Sequence, residues 1–382
     1  MTLLRDDTPA PPSGAEARVN ADVGVVAIGR NEGERLGRCL RSVAGRVAAA
    51  VYVDSDSTDD SVGLARALGA EVVSLDMSRP FTAARARNAG FERLTEVAPG
   101  VEFVQFLDGD CEVIGDWLDA GSGALRRRSD AAVVFGRLLE RHPDRSVYNR
   151  VAQVEWNIIG PRGGGGEVET CGGNAMLRAR ALRDVRGYEP SVPAGEEPEL
   201  CQRLRRAGWS VLFLDEDMAW HDTAMLRFGQ WARRQVRTGY GGLDFSARFG
   251  SQGDDPFRSQ IRSARVWGVA WPLAALAATG LAGAVGGTSA AAAAAAVSLL
   301  APAAQAARIA RKNRGRAGGA RTALAYGALT VLGKPFQAVG QAMNARDRLT
   351  GRHARLIEYK APAASQGGTT DPALDPEGAA RA

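Results

Sequence analysis

Four cysteines and three histidines are all that this 382-residue chain contains, and neither type is clustered. Cys39, Cys111, Cys171 and Cys201 form no CxxC pair, which excludes a zinc-ribbon framework and argues against a disulfide scaffold. They read as small, reduced apolar side chains of a cytosolic protein. Aromatic residues are only 6% of the chain. They form no platform for single-stranded bases, and neither zinc-finger spacing nor a helix-turn-helix pattern is present, so nucleic acid is not an expected partner. Basicity is local: six residues between Arg308 and Arg321 exceed the whole net charge of +5. The first twenty residues, MTLLRDDTPAPPSGAEARVN, carry no apolar core of the secretory kind, and residues 1–21 are expected to be disordered.

One further absence points to something. Residues 266–307, 42 positions, contain no charge, and a membrane-spanning helix needs about 20 apolar residues. The stretch therefore fits a two-helix membrane hairpin with its turn at GGTS (286–289). Arg258, Arg262 and Arg265 of the basic linker 249–265 precede it and the 308–321 cluster follows it, so both flanks are expected in the cytoplasm and the protein at the inner membrane. An Ala-rich soluble helical pair is the competing reading. Residues 322–343 are again apolar but interrupted by Lys334-Pro335, which suggests that 308–360 is a basic loop and a helix lying at the membrane surface. The tail 361–382 is expected to be disordered.

Ahead of the hairpin, residues 22–248 alternate between two periodicities. VGVVAIG (23–29), AAAVYVD (48–54), AEVVSLD (70–76) and FVQFLD (103–108) read as buried strands. Helical spacings separate them, with Asn31 and Thr58 to Asp60 as candidate caps and a further helix over TAARARNAGFERL (82–94). The alternation predicts an α/β fold with a mostly parallel sheet covered by helices. Such sheets bind ligands where their strands end. AAVVFGRLL (131–139) and WSVLFLD (209–215) are further strands, and Gly163 to Gly166 a mobile loop or lid.

At the end of the 103–108 strand stand Asp108 and Asp110 with only Gly109 between them. In an extended chain, residues two apart point to the same side. Both acids could then aim at one spot, where a divalent cation would offset their mutual repulsion. Asp-Gly-Asp also occurs as a plain surface turn.

In order, VVAIGRNEGERLGRCLRSV, VDSDSTDDS, AARARNAG, FLDGD, GGNAMLRARAL and GEEPELCQRLRRAG resemble the inverting family 2 glycosyltransferases of GT-A fold over about residues 22–245. The later apolar stretch is similar to the membrane segment of bacterial members that build polysaccharides or glycolipids. The resemblance implies a nucleotide-sugar donor, a lipid-linked or glycan acceptor, and Mg or Mn as cofactor. Asp110 would hold the cation, joined by His221 of AWHD, for which a structural role is the competing account, and Asp108 would contact the sugar or ribose. Arg30, Asn31, Glu32, Asp54 and Arg87 would contact the nucleotide, although a helix cap equally explains Asn31 and an Asx turn competes for Asp54. Glu197, second of the Glu196-Glu197 pair, would be the general base; an acidic first helical turn is the plainer account of GEEPEL. Gln230-Trp231-Ala232-Arg233-Arg234 is similar to the Gln-x-x-Arg-Trp motif of processive synthases, with Arg234 in place of Trp. A nucleotide-binding membrane protein without transfer activity is the alternative. A nucleotidyltransferase would need an N-terminal Gly-rich phosphate signature, and none is present.

Overall fold

The computed structural model describes residues 20–158, 160–161, 164–252 and 255–351. The segment 361–382, residues 1–19 and Gly163 lie outside them, whereas Asn20 and Ala21 open the first strand. The first half alternates as the sequence suggested: β1 (Asn20–Gly29), α1 (Glu34–Arg41), β2 (Val47–Asp54), α2 (Ser61–Ala67), β3 (Glu71–Ser74), α3 (Ala83–Val97) and β4 (Phe103–Asp108). Then come β5 (Cys111–Val113), α4 (Trp117–Arg127), β6 (Ala131–Glu140), α5 (Val147–Trp156), β7 (Gly166–Val168) and β8 (Ala175–Arg178). The domain continues through α6 (Ala179–Asp184), α7 (Glu196–Arg206), β9 (Ser210–His221) and α8 (Phe228–Phe249).

The strands form one sheet in the order β3-β2-β1-β4-β8-β6-β9-β5, with β7 on β9. Its first four strands are parallel. Val25, Val26, Val51, Val53, Phe106 and Leu107 on three of them are fully buried, as expected of a sheet covered on both faces. The expectation of a mostly parallel sheet fails beyond β4, because β8 runs antiparallel to both β4 and β6. A loop rather than a crossover helix leads into this four-residue strand, so nothing forces it to enter in the parallel sense. Register brings Gly29 beside Asp54 and Ile28 beside Asp108, so the exits of β1, β2 and β4 share one edge.

Of the glycine-rich segment, Gly165 and Gly166 differ from a lid. Gly166 begins β7 and pairs with Phe213, and a Cβ at Gly165 would stand 2.8 Å from the Phe213 carbonyl oxygen. These glycines permit close docking on β9, away from the cavity described below.

Five helices and one π-helical turn follow: α9 (Arg258–Arg265), the turn (Val266–Ala270), α10 (Trp271–Ser298), α11 (Leu300–Asn313), α12 (Ala320–Leu332) and α13 (Lys334–Thr350), the turn being continuous with α9 and α10. The run Arg258–Asn313 is long and apolar enough to cross a membrane. It folds back at Gly287, whose φ of 72° and ψ of −167° leave the helical region. In consequence the Trp271 indole N–H donates to the Ser298 carbonyl at 3.2 Å, 27 residues away. Along an unbroken helix those groups would be about 40 Å apart. Leu276 is 70% exposed and Val285 84%.

Two segments were read from sequence without their packing. Residues 258–265, expected as linker, are helical. The 322–343 stretch breaks at Gly333, between α12 and α13, and α13 lies against α8 rather than alone. A Cβ on Gly239 would collide with the Gln337 carbonyl, and one on Gly340 with the Val236 carbonyl, so the two backbones are in contact. Gln337 donates to Gln235 at 2.8 Å across that seam.

Candidate functional site

A cavity of about 660 Å³ opens at the shared strand edge, within the usual size range for small-molecule sites. Its walls come from the β1 exit, Asp108, Arg87, the 171–174 loop, the start of α7 and one face of α8.

At its centre is Arg87, carried by α3, whose Thr82 cap accepts the Arg85 N–H at 3.1 Å. The guanidinium is 2% exposed and meets three carboxylates: Glu196 at 2.8 Å, Asp108 at 3.1 Å and Glu197 at 3.2 Å. Burial alone would disfavour its charge, but Glu197, Asp108 and Glu196 together raise its pKa. Within the acidic pair, burial and the neighbouring Glu196 charge push Glu197 up to about 7, against the pull of Arg87. Burial also opposes the charge of Glu196, yet Arg87 and then Arg237 hold it below its ordinary value. The two acids are thereby pushed apart, one kept ionised by Arg87 and the other poised to exchange a proton. Glu197 is also the more open of the two, at 14% against 3%.

The two aspartates of the β4 exit do not converge on one point. The strand ends at Asp108 and the chain turns through Gly109, whose N–H donates to Ile28 O at 2.8 Å, so the alternation of an extended chain stops there. Asp108 goes to Arg87. Asp110, buried, faces His221: Oδ2 is 3.2 Å from Nε2, with Cys111 Sγ 3.8 Å from Oδ1. Cross-strand register sets this up, since His221 at the end of β9 lies beside Cys111 on one side and Glu140 on the other. Trp156 stacks on the imidazole with 4.4 Å between centroids.

A carboxylate oxygen and an imidazole lone pair this close require a proton or a cation between them. The His221 Nδ1 is buried without a hydrogen-bond partner, so nothing on that side fixes the tautomer that would put the proton on Nε2. Oxygen and nitrogen donors suit Mg or Mn, and their separation agrees with neighbouring ligands on one ion at ~2.1 Å each. The pair fits a divalent cation.

The other sequence candidates sit at the same edge with different partners. Asp54 commits both oxygens to its own loop: Oδ2 accepts from the Asp56 and Ser57 N–H groups at 3.1 and 3.0 Å, and Oδ1 from the Tyr52 hydroxyl at 3.1 Å. That is the Asx-turn account, and it is Ser55 that reaches the cavity. Asn31, at φ 55°, caps no helix; its Oδ1 accepts from Thr58 N at 2.7 Å and ties the β1 exit to the β2 exit. Glu32 is buried against Arg35 at 2.9 Å, and Arg30 is exposed on the cavity rim.

Residues 25–186 match the family model described as Glycosyl transferase family 2. The chain carries a family 2 glycosyltransferase domain. It is 29% identical over 235 residues to a pre-mycofactocin glycosyltransferase of Mycobacterium tuberculosis, across 58% of this chain and 47% of that relative, so it spans about half the relative's length. Identity is 23% to the glycosyltransferase AglE of Haloferax volcanii, across 55% and 69% of the two chains. Among solved structures, a mannosyltransferase of Pyrobaculum calidifontis in complex with GDP-Man and Mn2+ matches with a TM-score of 0.54 at 16% identity, over 89% of this chain and 92% of that one. Its likeness is of fold, a GT-A-type α/β sheet.

The glycosyltransferase domain also uses residues that sequence reading did not single out. Asn174 accepts the Asp108 N–H at 3.0 Å and Gly173 O accepts from Arg87 at 3.4 Å; both lie in the quoted GGNAM segment, where the glycine pair was the available signal. Buried Glu140 accepts from Asn149 Nδ2 and His142 N, both at 3.0 Å, and from Thr223 N at 3.3 Å. It thus ties the chain just after His221 to the segment after β6, and nothing in AAVVFGRLLE marks it for that role.

Proposed function

We propose that this chain is a metal-dependent glycosyltransferase that moves a sugar from a nucleotide-sugar donor to a lipid-linked or glycan acceptor with inversion of configuration. The observation that carries the reading is the Arg87 cluster: one buried guanidinium gathers the strand-end Asp108 and the Glu196–Glu197 pair in a cavity that His221 also lines. Glu197 takes the proton from the acceptor hydroxyl as that oxygen attacks the anomeric carbon. Glu196 stays ionised and keeps Arg87 in place, while Asp108, Arg30, Asn31 and Glu32, with the loop that Asp54 holds, receive the nucleotide and sugar. Asp110 and His221 would hold a divalent cation, which when bound offsets the negative charge that grows on the departing diphosphate. A single displacement from a base on the acceptor side makes an α-linked donor give a β-linked product.

A panel of sugar nucleotides, assayed with and without Mn or Mg and read by NMR of the product's anomeric proton, tests this. Asp110→Asn should abolish metal-dependent nucleotide affinity and leave the metal-free affinity unaltered; equal affinity with and without metal in the unsubstituted protein, or retention of the donor's configuration, sinks the corresponding part.

We also propose attachment to the cytoplasmic face of the inner membrane through the hairpin, because Leu273, Leu276 and Leu281 are 61 to 70% exposed between basic flanks. The full chain should sediment with membranes, and the Leu276→Glu/Leu281→Glu variant should move to the soluble fraction with unchanged nucleotide affinity. A full chain that stays soluble without detergent makes the hairpin an ordinary helical pair.

A further inference from the structure

Every third or fourth residue of one α8 face lines the cavity: Arg234, Arg237, Thr238, Gly241, Gly242 and Phe245. Other arginines of the cavity wall meet carboxylates at contact distance. Arg87 has its three carboxylates, Arg35 has Glu32, and Arg234 pairs with Glu155. Arg237 also lines the cavity and makes no hydrogen bond or ion pair among the described residues, although its charge acts on Glu196. It is half-buried, and a guanidinium with its donors unused in a cavity is built for an oxyanion.

Its place in the cavity says whose oxyanion that is. Along α8, Arg234 sits by Glu155 and hence by Trp156, the residue stacked on His221. Arg237 is one turn further on, close enough to act electrostatically on Glu196. The next turn, Gly241, touches the backbone just before the acidic pair, where a Cβ would stand 2.7 Å from Ala194 O. Arg237 is therefore on the side of the base, away from Asp110 and His221. Beyond it the wall turns apolar through Gly242, Phe245 and Phe257. Phe257 is followed at once by α9, which runs into the exposed apolar hairpin.

We propose that Arg237 forms an acceptor subsite for the phosphate that joins an apolar chain to the sugar offering the hydroxyl. The phosphate sits beside the base and the chain leaves past Phe245 and Phe257 towards the hairpin. This deepens the transferase reading of the same cavity and rests on it.

The test uses the detergent-solubilised full chain and three probes in calorimetric titration: farnesyl phosphate, farnesol and inorganic phosphate. Farnesyl phosphate should bind roughly tenfold more tightly than farnesol, and Arg237→Gln should erase that difference without weakening farnesol. Arg237→Lys should restore part of it. Inorganic phosphate should compete weakly with farnesyl phosphate in the unsubstituted protein and not in Arg237→Gln. Equal binding of farnesyl phosphate and farnesol overturns the proposal. So does inorganic phosphate binding as tightly as farnesyl phosphate, which would make the subsite one for a free anion. So too does an Arg237→Gln variant that loses affinity for Mn2+-loaded nucleoside diphosphates in step with farnesyl phosphate, because Arg237 would then serve the donor. Absence of nucleotide binding in the unsubstituted protein would instead count against the transferase reading, and the farnesyl phosphate titrations are read separately from it.

Discussion

Glu197→Gln is expected to lower turnover by about two to four orders of magnitude while leaving nucleotide-sugar affinity nearly unchanged, the signature of a lost general base. The amide nearly matches the carboxylate in shape and its oxygen can still accept from Arg87, so the geometry survives while proton acceptance is lost. The unsubstituted protein should also show its base in the pH profile. Burial and the Glu196 charge put the Glu197 carboxyl at about 7, so kcat/KM should rise with pH, level off above about 7, and lose that limb in the variant. Stability runs the other way. A carboxyl that binds its proton more tightly folded than unfolded favours the folded state when protonated, so its contribution falls as pH climbs from 4.5 to about 7. Urea melts across that interval measure it. A variant that keeps more than about a tenth of the rate places the base elsewhere, since positioned bases are worth at least a hundredfold.

Arg87→Met should be the most damaging change to stability, because it leaves Asp108, Glu196 and Glu197 crowded together without their cation. Removing one partner of a buried ionic cluster costs about 3–5 kcal/mol, and Arg87 is 2% exposed, so solvent offers little relief. Two accompanying results would tie the loss to charge and not to shape. The deficit should shrink as pH falls through the carboxylate range, and Glu196→Gln placed in the same chain should recover part of it. A melting temperature within a degree or two of the unsubstituted protein would mean that the acids disperse into the cavity and that Arg87 is no keystone.

The first four strands could be read directly because each is a short apolar run ending in acids or glycine at one edge. Asp110 and His221 were legible as a pair only through family resemblance, since 111 residues separate them and cross-strand register alone brings them together. Arg87 was legible as a cavity residue but not as the centre of a charge cluster. Its partners lie 21 and 109 residues away, and no local periodicity encodes such a meeting. Asp54 was ambiguous for a local reason, because the same carboxylate can cap its own loop or meet a ligand, and the backbone claims it first. Strands β7 and β8 were hidden because three or four residues beside a glycine run carry too little alternation to announce a strand. The turn near Gly287 was visible because paired glycines in an uncharged stretch leave few other places to reverse.

The seam between α8 and α13 imposes an order of events during synthesis. The ribosome delivers α8, and with it the cavity face from Arg234 to Phe245, about 90 residues before it delivers the α13 partner that Gly239 and Gly340 admit to backbone contact. Until then α8 lacks the helix that packs against it, and closing so long an intervening segment is slow compared with local helix formation. The hairpin is thus made, and free to find its surroundings, before the cavity has its last supporting helix. A nascent chain stalled after α11 would hold every site residue named above and yet lack the helix that backs α8, so competence to bind should appear only once α13 has been made.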